Sequence, residues 1–418
     1  MQPVSQIRTH ALMICMCVLI ACGFFVTLRA APSTGTHKQA NPFRTYQIDT
    51  GWGAYDADFS PDGRFLAVDS YRGEYAADKT KLIEQEQVQI WDFRNRSLVS
   101  SKTLWEQRPP AVTNDASLNR GFVRYIEHGK KILVCACNEG RLLVLDSKTL
   151  AQVSSINLGK LTWPRQWPNA VLYVEAVEVD QEDTQARAAV LVGLKEYSWG
   201  QVRIYDLNSG NLIAYRSFSS DIGGISIDPA GKRVAVALLP FSPGERPLRR
   251  KERNVVILDA DTGKPITEIN TGYLAATVRF VGSDTVATVS AEYGLGGHKK
   301  DGIRLCDVKT GRLLREILSP PTGVRYHLEV SEDGKTALGY TTKEVNHWWW
   351  FDPASVIAEY ARFRLWDLAT GRVIATSPDL SSMIAGSDFA LSPKGDVVLI
   401  YPVNSGGPLV FYELKHTP

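Results

Sequence analysis

The segment IYDLNSGNL (204–212) carries the pattern that decides the fold. A strand-like run ends in Asp206, and Ser209-Gly210 turns the chain back. The pattern recurs as IWDFRNRSL (90–98), VLDSKTLAQ (144–152), ILDADTGKP (257–265), LCDVKTGRL (305–313) and LWDLATGRV (365–373). A degenerate copy, FYELKH (411–416), follows near the C-terminus. The marker acids are Asp92, Asp146, Asp206, Asp259, Asp307, Asp367 and, weakly, Glu413, each 46 to 60 residues after the last. A period of this size signals a repeat architecture. It overrides the two or three domains that 418 residues would suggest, because one unit cannot bury its apolar face without neighbours.

A second device precedes each marker. Tyr55 to Phe59 runs into Ser60-Pro61-Asp62-Gly63, and Phe65 to Ser70 forms the next strand. The same unit recurs at 228–231, 331–334 and 392–395, and more loosely at 127–129, 282–284 and near Asp180. Pro presets the dihedral of the second turn residue, and Gly takes the positive φ that closes the turn. Apolar runs such as RVAVALL (233–239) and DVVLIY (396–401) suit strands buried on both faces. Each unit therefore reads as strand a, tight turn, strand b, loop, strand c, Asp turn, strand d. Four antiparallel strands, repeated, make a β-propeller blade.

The expected fold is all-β: a seven-bladed β-propeller over 43–418, with blades near 55–104, 122–158, 170–218, 222–269, 275–318, 324–376 and 385–414. The last blade runs out of chain before a fourth strand. FRTYQIDT (Phe43 to Thr50) is expected to complete it, antiparallel to 407–414, and so close the ring without an open edge.

These repeats resemble those of the WD-repeat and related YVTN-type β-propeller proteins of exported, bacterial type, over 43–418. The matching residues are Trp91-Asp92, Trp366-Asp367, the turn Pro61-Asp62-Gly63, and Thr-Gly pairs at 262–263, 310–311 and 370–371. The Gly-His dipeptide before strand a is missing, and Leu145, Tyr205, Leu258 and Cys306 stand where Trp would be. Every strand and turn remains, so the implied fold survives these departures.

Residues 1–30 differ in kind. Arg8 and His10 precede an uncharged apolar stretch, Ala11 to Leu28, which addresses the chain for export. Three readings stay open. Leu-Ile-Ala-Cys (19–22) followed by Gly23 resembles a lipoprotein signal with Cys22 as the lipidated residue. Eighteen apolar residues also sit at the lower limit for an uncleaved anchor. Cleavage near Ala30 or Ala31 is the third. All place the body outside the cytoplasm, in the periplasm or at the cell surface. Residues 31–42, rich in Ser, Thr, Gly and Pro, form a tether.

Composition is that of a soluble globular protein, 44% hydrophobic and 22% charged. A net charge of +2 gives no whole-molecule field for nucleic acid. Three of six Cys lie in the export segment, so a disulfide scaffold is excluded. Cys135 and Cys137, on one face of one strand, read as small buried side chains rather than as a redox or metal pair.

Loop length carries the functional information. The a–b and c–d turns are short, whereas the b–c and d–a connections, which share the opposite face, are long. Blades one, four, five and six insert 71–86, 240–253, 291–301 and 342–360, and the d–a connections 105–120 and 159–169 are also long. Long loops on one side of a rigid scaffold concentrate binding. Blade four supplies Arg246, Arg249, Arg250, Lys251 and Arg253, and blade five His298, Lys299 and Lys300, a set suited to anionic groups. Blade six supplies His347, Trp348, Trp349 and Trp350; no strand face hides three consecutive Trp, so the loop either packs them or presents them to a partner.

Signals for catalysis are missing. There is no G-x-S-x-G elbow, no phosphate-cradling glycine motif, and no ligand spacing among the seven His. No catalytic residue, metal ligand or cofactor is assigned, and His327, on an inner strand a, reads as packed. The expected function is a non-enzymatic, exported, monomeric propeller that binds a protein or glycan through its loop-rich face, meeting the membrane only through its N-terminal segment. The alternative is a propeller enzyme of quinoprotein or lactonase type with a site at the channel mouth. Quinone-cofactor propellers carry regular Trp residues ending each repeat, which are absent here. A lactonase-like site needs carboxylates and Asn converging on a metal. Converging channel carboxylates would favour the enzyme, and an aromatic, basic rim would favour recognition.

Overall fold

The computed structural model describes residues 41–75, 82–105, 121–136, 140–158, 172–180, 185–194, 200–239, 254–271, 274–291, 302–318, 323–345, 357–380, 387–402 and 407–415. Contacts divide the chain into Met1–Ala40 and Asn41–Pro418. The first unit, with the export segment and Cys22, lies outside the described residues.

The described residues form seven four-stranded antiparallel sheets and contain no helix. Six are consecutive blades, spanning 53–105, 123–157, 172–218, 221–269, 274–318 and 323–376. The seventh takes strands a to c from 387–414 and its outer strand from Phe43–Ile48. That strand runs antiparallel to Leu409–Leu414, from Phe43↔Leu414 to Ile48↔Leu409. The expected ring closure is therefore present, two residues shorter than the sequence suggests.

The apolar pattern explains the ring. Strands b and c of each blade are buried on both faces, because each face packs on a neighbouring blade. The buried residues fall into seven clusters, one at each junction between blades. At the closing junction Phe43 is 2% exposed and lies edge-on to Phe363 and Tyr412, with centroids 5.2 and 6.0 Å away. Burying such a ring contributes about 1.5–3 kcal/mol.

The recurring acids close the c–d turns. Asp146 Oδ1 accepts the backbone N–H and hydroxyl of Thr149, both at 2.8 Å. Asp206 does the same with Ser209, and Asp259, Asp307 and Asp367 with Thr262, Thr310 and Thr370. These hydrogen bonds hold Asp146, Asp206, Asp307 and Asp367 below the usual carboxylate range. The repeat seen in the sequence is thus a turn chemistry repeated six times, with Asn95 serving Asp92.

Two expectations need correction. The insertions of blades one and six begin and end as strand, because their b–c ladders continue outward. Blade one pairs Tyr71↔Glu86 through Tyr75↔Leu82, and blade six Thr342↔Ala361 through Val345↔Ile357. Cys135 is buried as expected, but it is disulfide-bonded rather than a free small side chain.

Candidate functional site: the channel

Strand a of each blade lines the centre of the ring, and its side chains reach to the next blade. Asp56 Oδ2 accepts the Val123 N–H at 3.0 Å, Asp58 Oδ2 the Tyr125 N–H at 2.7 Å, and Ser226 Oγ the Phe280 N–H at 3.0 Å. One blade's side chain thus fixes its neighbour's backbone.

A chain of alternating charge runs around this wall. Arg124 of blade two bonds Asp56 of blade one and lies 3.9 Å from Glu178 of blade three. Glu178 is 3.7 Å from Arg279 of blade five, whose guanidinium grips both oxygens of Glu329 of blade six at 2.8 and 3.2 Å. His327 Nδ1 meets Asp388 of blade seven at 3.0 Å, and its Nε2 lies 3.5 Å from Glu329. Blade four contributes no charge here; it lines the wall with Gly223, Gly224 and Ile225, and the Ile225 carbonyl accepts from Arg279 at 3.1 Å. A Cβ on Gly224 would come within 3.3 Å of Thr277 Oγ1 of blade five, a tight contact that glycine avoids.

Burial and charge compete at each group. Burial pushes Asp58 up to about 7, with Asp56 and Glu332 adding to the push and Arg124 opposing it. Asp56 and Glu178 are also raised, first by burial, although their Arg partners pull the other way. Burial works against the charge of His327, yet Asp388 and Glu329 raise it above its ordinary value. Burial works against Glu329 too, but Arg279 and His327 hold it below the usual carboxylate range.

The wall encloses a cavity of about 370 Å³. Pro61, His128, Asp180, Glu332 and Pro393, all at a–b turns, line one end of it. The cavity therefore reaches the short-turn face, opposite the face that sequence reasoning singled out. Among the described residues no three His, Cys, Asp or Glu side chains come together as a metal-ligand set.

The sequence-derived candidates Arg246, Arg249, Arg250, Lys251, Arg253, His298, Lys299, Lys300, His347, Trp348, Trp349 and Trp350 lie outside the described residues. His327, read as simply packed, faces the channel cavity and belongs to its charge chain. Sequence reasoning missed Asp56, Asp58, Arg124, Glu178, Arg279, Glu329 and Asp388. A signal existed: Asp58, Arg124, Glu178, Arg279 and Glu329 each stand one or two residues before the end of strand a.

No family model matches the chain, and no curated protein matches it by sequence. The fold is shared with solved structures. The chain is similar to one in the crystal structure of the mitotic checkpoint complex, at 15% identity over 94% of this chain and 99% of that one, TM-score 0.55. It is similar to the Dos1 propeller, at 11% identity over 90% and 95%, TM-score 0.53. It is also similar to the β-propeller domain of Myceliophteria thermophila Cps50 (Swd1), at 12% identity over 90% and 100%, TM-score 0.54. Identities this low show the fold alone.

Proposed function

We propose that this chain is an exported, non-enzymatic propeller that binds a protein partner through its b–c and d–a face. The observation that carries the reading is the pair of long ribbons in blades one and six. Their b and c strands run to 10 or 11 residues, against 5 to 8 in the other blades. They flank blade seven and extend the sheets toward the loop-rich face alone, giving a rigid scaffold with a one-sided elaboration. The same fold occurs in the mitotic checkpoint complex, a protein assembly.

The basic and aromatic segments at 240–253, 291–301 and 342–360 belong to consecutive blades, and we take them as the contact sector for an anionic, stacking partner. The export segment supports an extracytoplasmic site of action, and a disulfide-bonded Cys135 fits an oxidising compartment. The carboxylate-lined channel is the feature that would favour an enzyme. Its acids are interleaved with Arg124, Arg279 and His327 across blades instead of converging on one point, which weighs for recognition.

The test uses the full-length chain carrying a photo-crosslinker in blade six, with Arg249 and Arg250 replaced by Glu, and separately Trp349 by Ala. Loss of wild-type crosslinks at unchanged melting temperature, more pronounced at low salt for the Arg variant, is expected. Unchanged crosslinks in both variants would remove the sector from the function.

A further inference from the structure

Ten large apolar side chains stand exposed among the described residues, and nine of them share one place in the blade. They occupy the first three residues of strand d, directly after the c–d turn. Blade one has Leu98 and Val99, blade five Leu313 and Leu314, blade six Val373 and Ile374, and blades two, three and four one each. Each is 45% to 58% exposed. Strand propensity alone would spread such residues along the strand. Instead strand d turns polar beyond them, as in Ser100-Ser101-Lys102 and Arg315-Glu316. Six blades therefore carry an apolar belt around the short-turn rim. Equivalent positions in successive blades lie at one level of the ring. A flat partner can meet all six, and a narrow segment of chain cannot.

The path of the chain selects the partner. In blade seven strand d is Phe43–Ile48, and its first residue pairs with Leu414, at the end of strand c. The Lys415 N–H donates to the Pro42 carbonyl at 2.9 Å, so Pro42 lies at the level of the c–d turns. Residues 1–40 thus join the propeller at the belt end and not at the loop-rich face. The tether, residues 31–42, spans at most about 40 Å when extended, so a membrane that holds residues 1–30 is within reach of the rim. The turns beside the belt fit such a surface. Arg94, Arg96, Lys309, Arg312, Arg372 and Lys415 are exposed there. Apart from the turn-closing carboxylates, the one acid within these turns is Asp261, which is paired with Arg187. Basic residues beside an apolar band suit anionic headgroups above acyl chains.

We propose that the short-turn rim rests on a lipid surface with anionic headgroups, which turns the loop-rich face away from the membrane. This deepens the function proposed above and rests on its export reading, with residues 1–30 held in the membrane by a lipid on Cys22 or as an uncleaved anchor.

The test reconstitutes the full-length chain in vesicles of phosphatidylethanolamine and phosphatidylglycerol. A photo-crosslinking amino acid replaces Ile374, in the belt, or Ser219, exposed just beyond strand d at the opposite end. Lipid crosslinks are expected from position 374 and not from 219. Leu98→Asp with Leu314→Asp, both exposed, should lower the crosslinks from 374 roughly tenfold at unchanged melting temperature, while the protein still floats with the vesicles. Protein that floats but crosslinks lipid equally from both positions, or from neither, overturns the docking and leaves the anchor standing. Protein that fails to float overturns both. Crosslinks from 374 to a second copy in place of lipid would assign the belt to self-association and overturn the proposal, as would a folded double variant that crosslinks like wild type. The comparison of 374 with 219 decides the matter even if the double variant fails to fold.

Discussion

The Tyr401 hydroxyl donates to Asp56 Oδ1 at 3.1 Å, across 345 residues of sequence, and joins the last blade to the first. The other Asp56 oxygen takes the Val123 N–H and the Arg124 guanidinium of blade two. One carboxylate therefore ties three consecutive blades at the seam of the ring. Asp56→Ala leaves the partly buried Arg124 without its nearest anion and is expected to cost about 3–5 kcal/mol. Tyr401→Phe removes one hydrogen bond and should cost about 1 kcal/mol. Urea unfolding of the two variants checks the ranking; equal, small effects would mean that Asp56 is not a junction.

Stability should fall as pH rises through neutrality. Asp58 has a raised folded pKa, so its contribution is complete below about 4, where the unfolded group also holds its proton, and is lost by about 7. His327 is raised as well, so its contribution is complete below about 6.5 and is lost as pH climbs through the folded value. The turn acids Asp146, Asp206, Asp307 and Asp367 act oppositely: lowered, they stabilise above about 4 and lose that effect in acid. Melting temperature against pH should thus decline from both sides of a mildly acidic maximum. Asp58→Asn should flatten the neutral limb and leave the acid limb unchanged.

Much of this fold was legible because its repeats are local. Asp206 and Ser209 are three residues apart, and the turn they make needs nothing from elsewhere in the chain. Blade boundaries followed to within two residues. The closing strand was legible by subtraction, since a blade that ends at Leu414 lacks an outer strand. The channel site was not legible in that way. Asp56, Glu178 and Arg279 belong to different blades and look like isolated charges until the ring brings them together. The place of Glu178 and Arg279 near the end of strand a was available in the sequence, whereas Asp56 stands mid-strand, and the meaning of either place depends on which face of the strand meets the axis. The ribbons of blades one and six were read as loops because the apolar alternation weakens from Tyr71 to Glu86.

The closing strand should control assembly. Phe43→Ala opens a cavity between Phe363 and Tyr412 and is expected to cost about 3–5 kcal/mol. Deleting 43–48 is more severe, since it exposes the whole edge of Leu409–Leu414. Light scattering on warming should show early aggregation of the deletion variant. A deletion that melts like the full chain would contradict the closure.

Processing at the N-terminus is testable with one residue. If Cys22 is the lipidated residue, Cys22→Ser loses fatty-acid labelling and accumulates as precursor. If cleavage falls near Ala30 or Ala31, the same variant is processed normally and its mature N-terminus is unchanged. Retention of the full segment in both proteins would identify an uncleaved anchor.

The c–d turns offer the sharpest test of the repeat chemistry. Gly210 and Gly263 occupy the same turn position, with φ of 72° and 66°, a region that disfavours any side chain. Their surroundings differ. A Cβ at 210 meets only Ile156 Cγ1 at 3.5 Å, whereas one at 263 lies 2.8 Å from the Tyr215 carbonyl oxygen. Gly210→Ala should therefore cost about 1 kcal/mol, for the backbone alone. Gly263→Ala should cost clearly more, because backbone must also move. Leu150 holds the same position at φ 56°, yet it is 1% exposed in the core between blades one and two. Leu150→Gly gains about 1 kcal/mol in backbone freedom and loses about 2–5 kcal/mol of packing, so it should destabilise. Chemical denaturation of the three variants measures this order. If Leu150→Gly proves stabilising, the turn geometry and not the packing governs that blade.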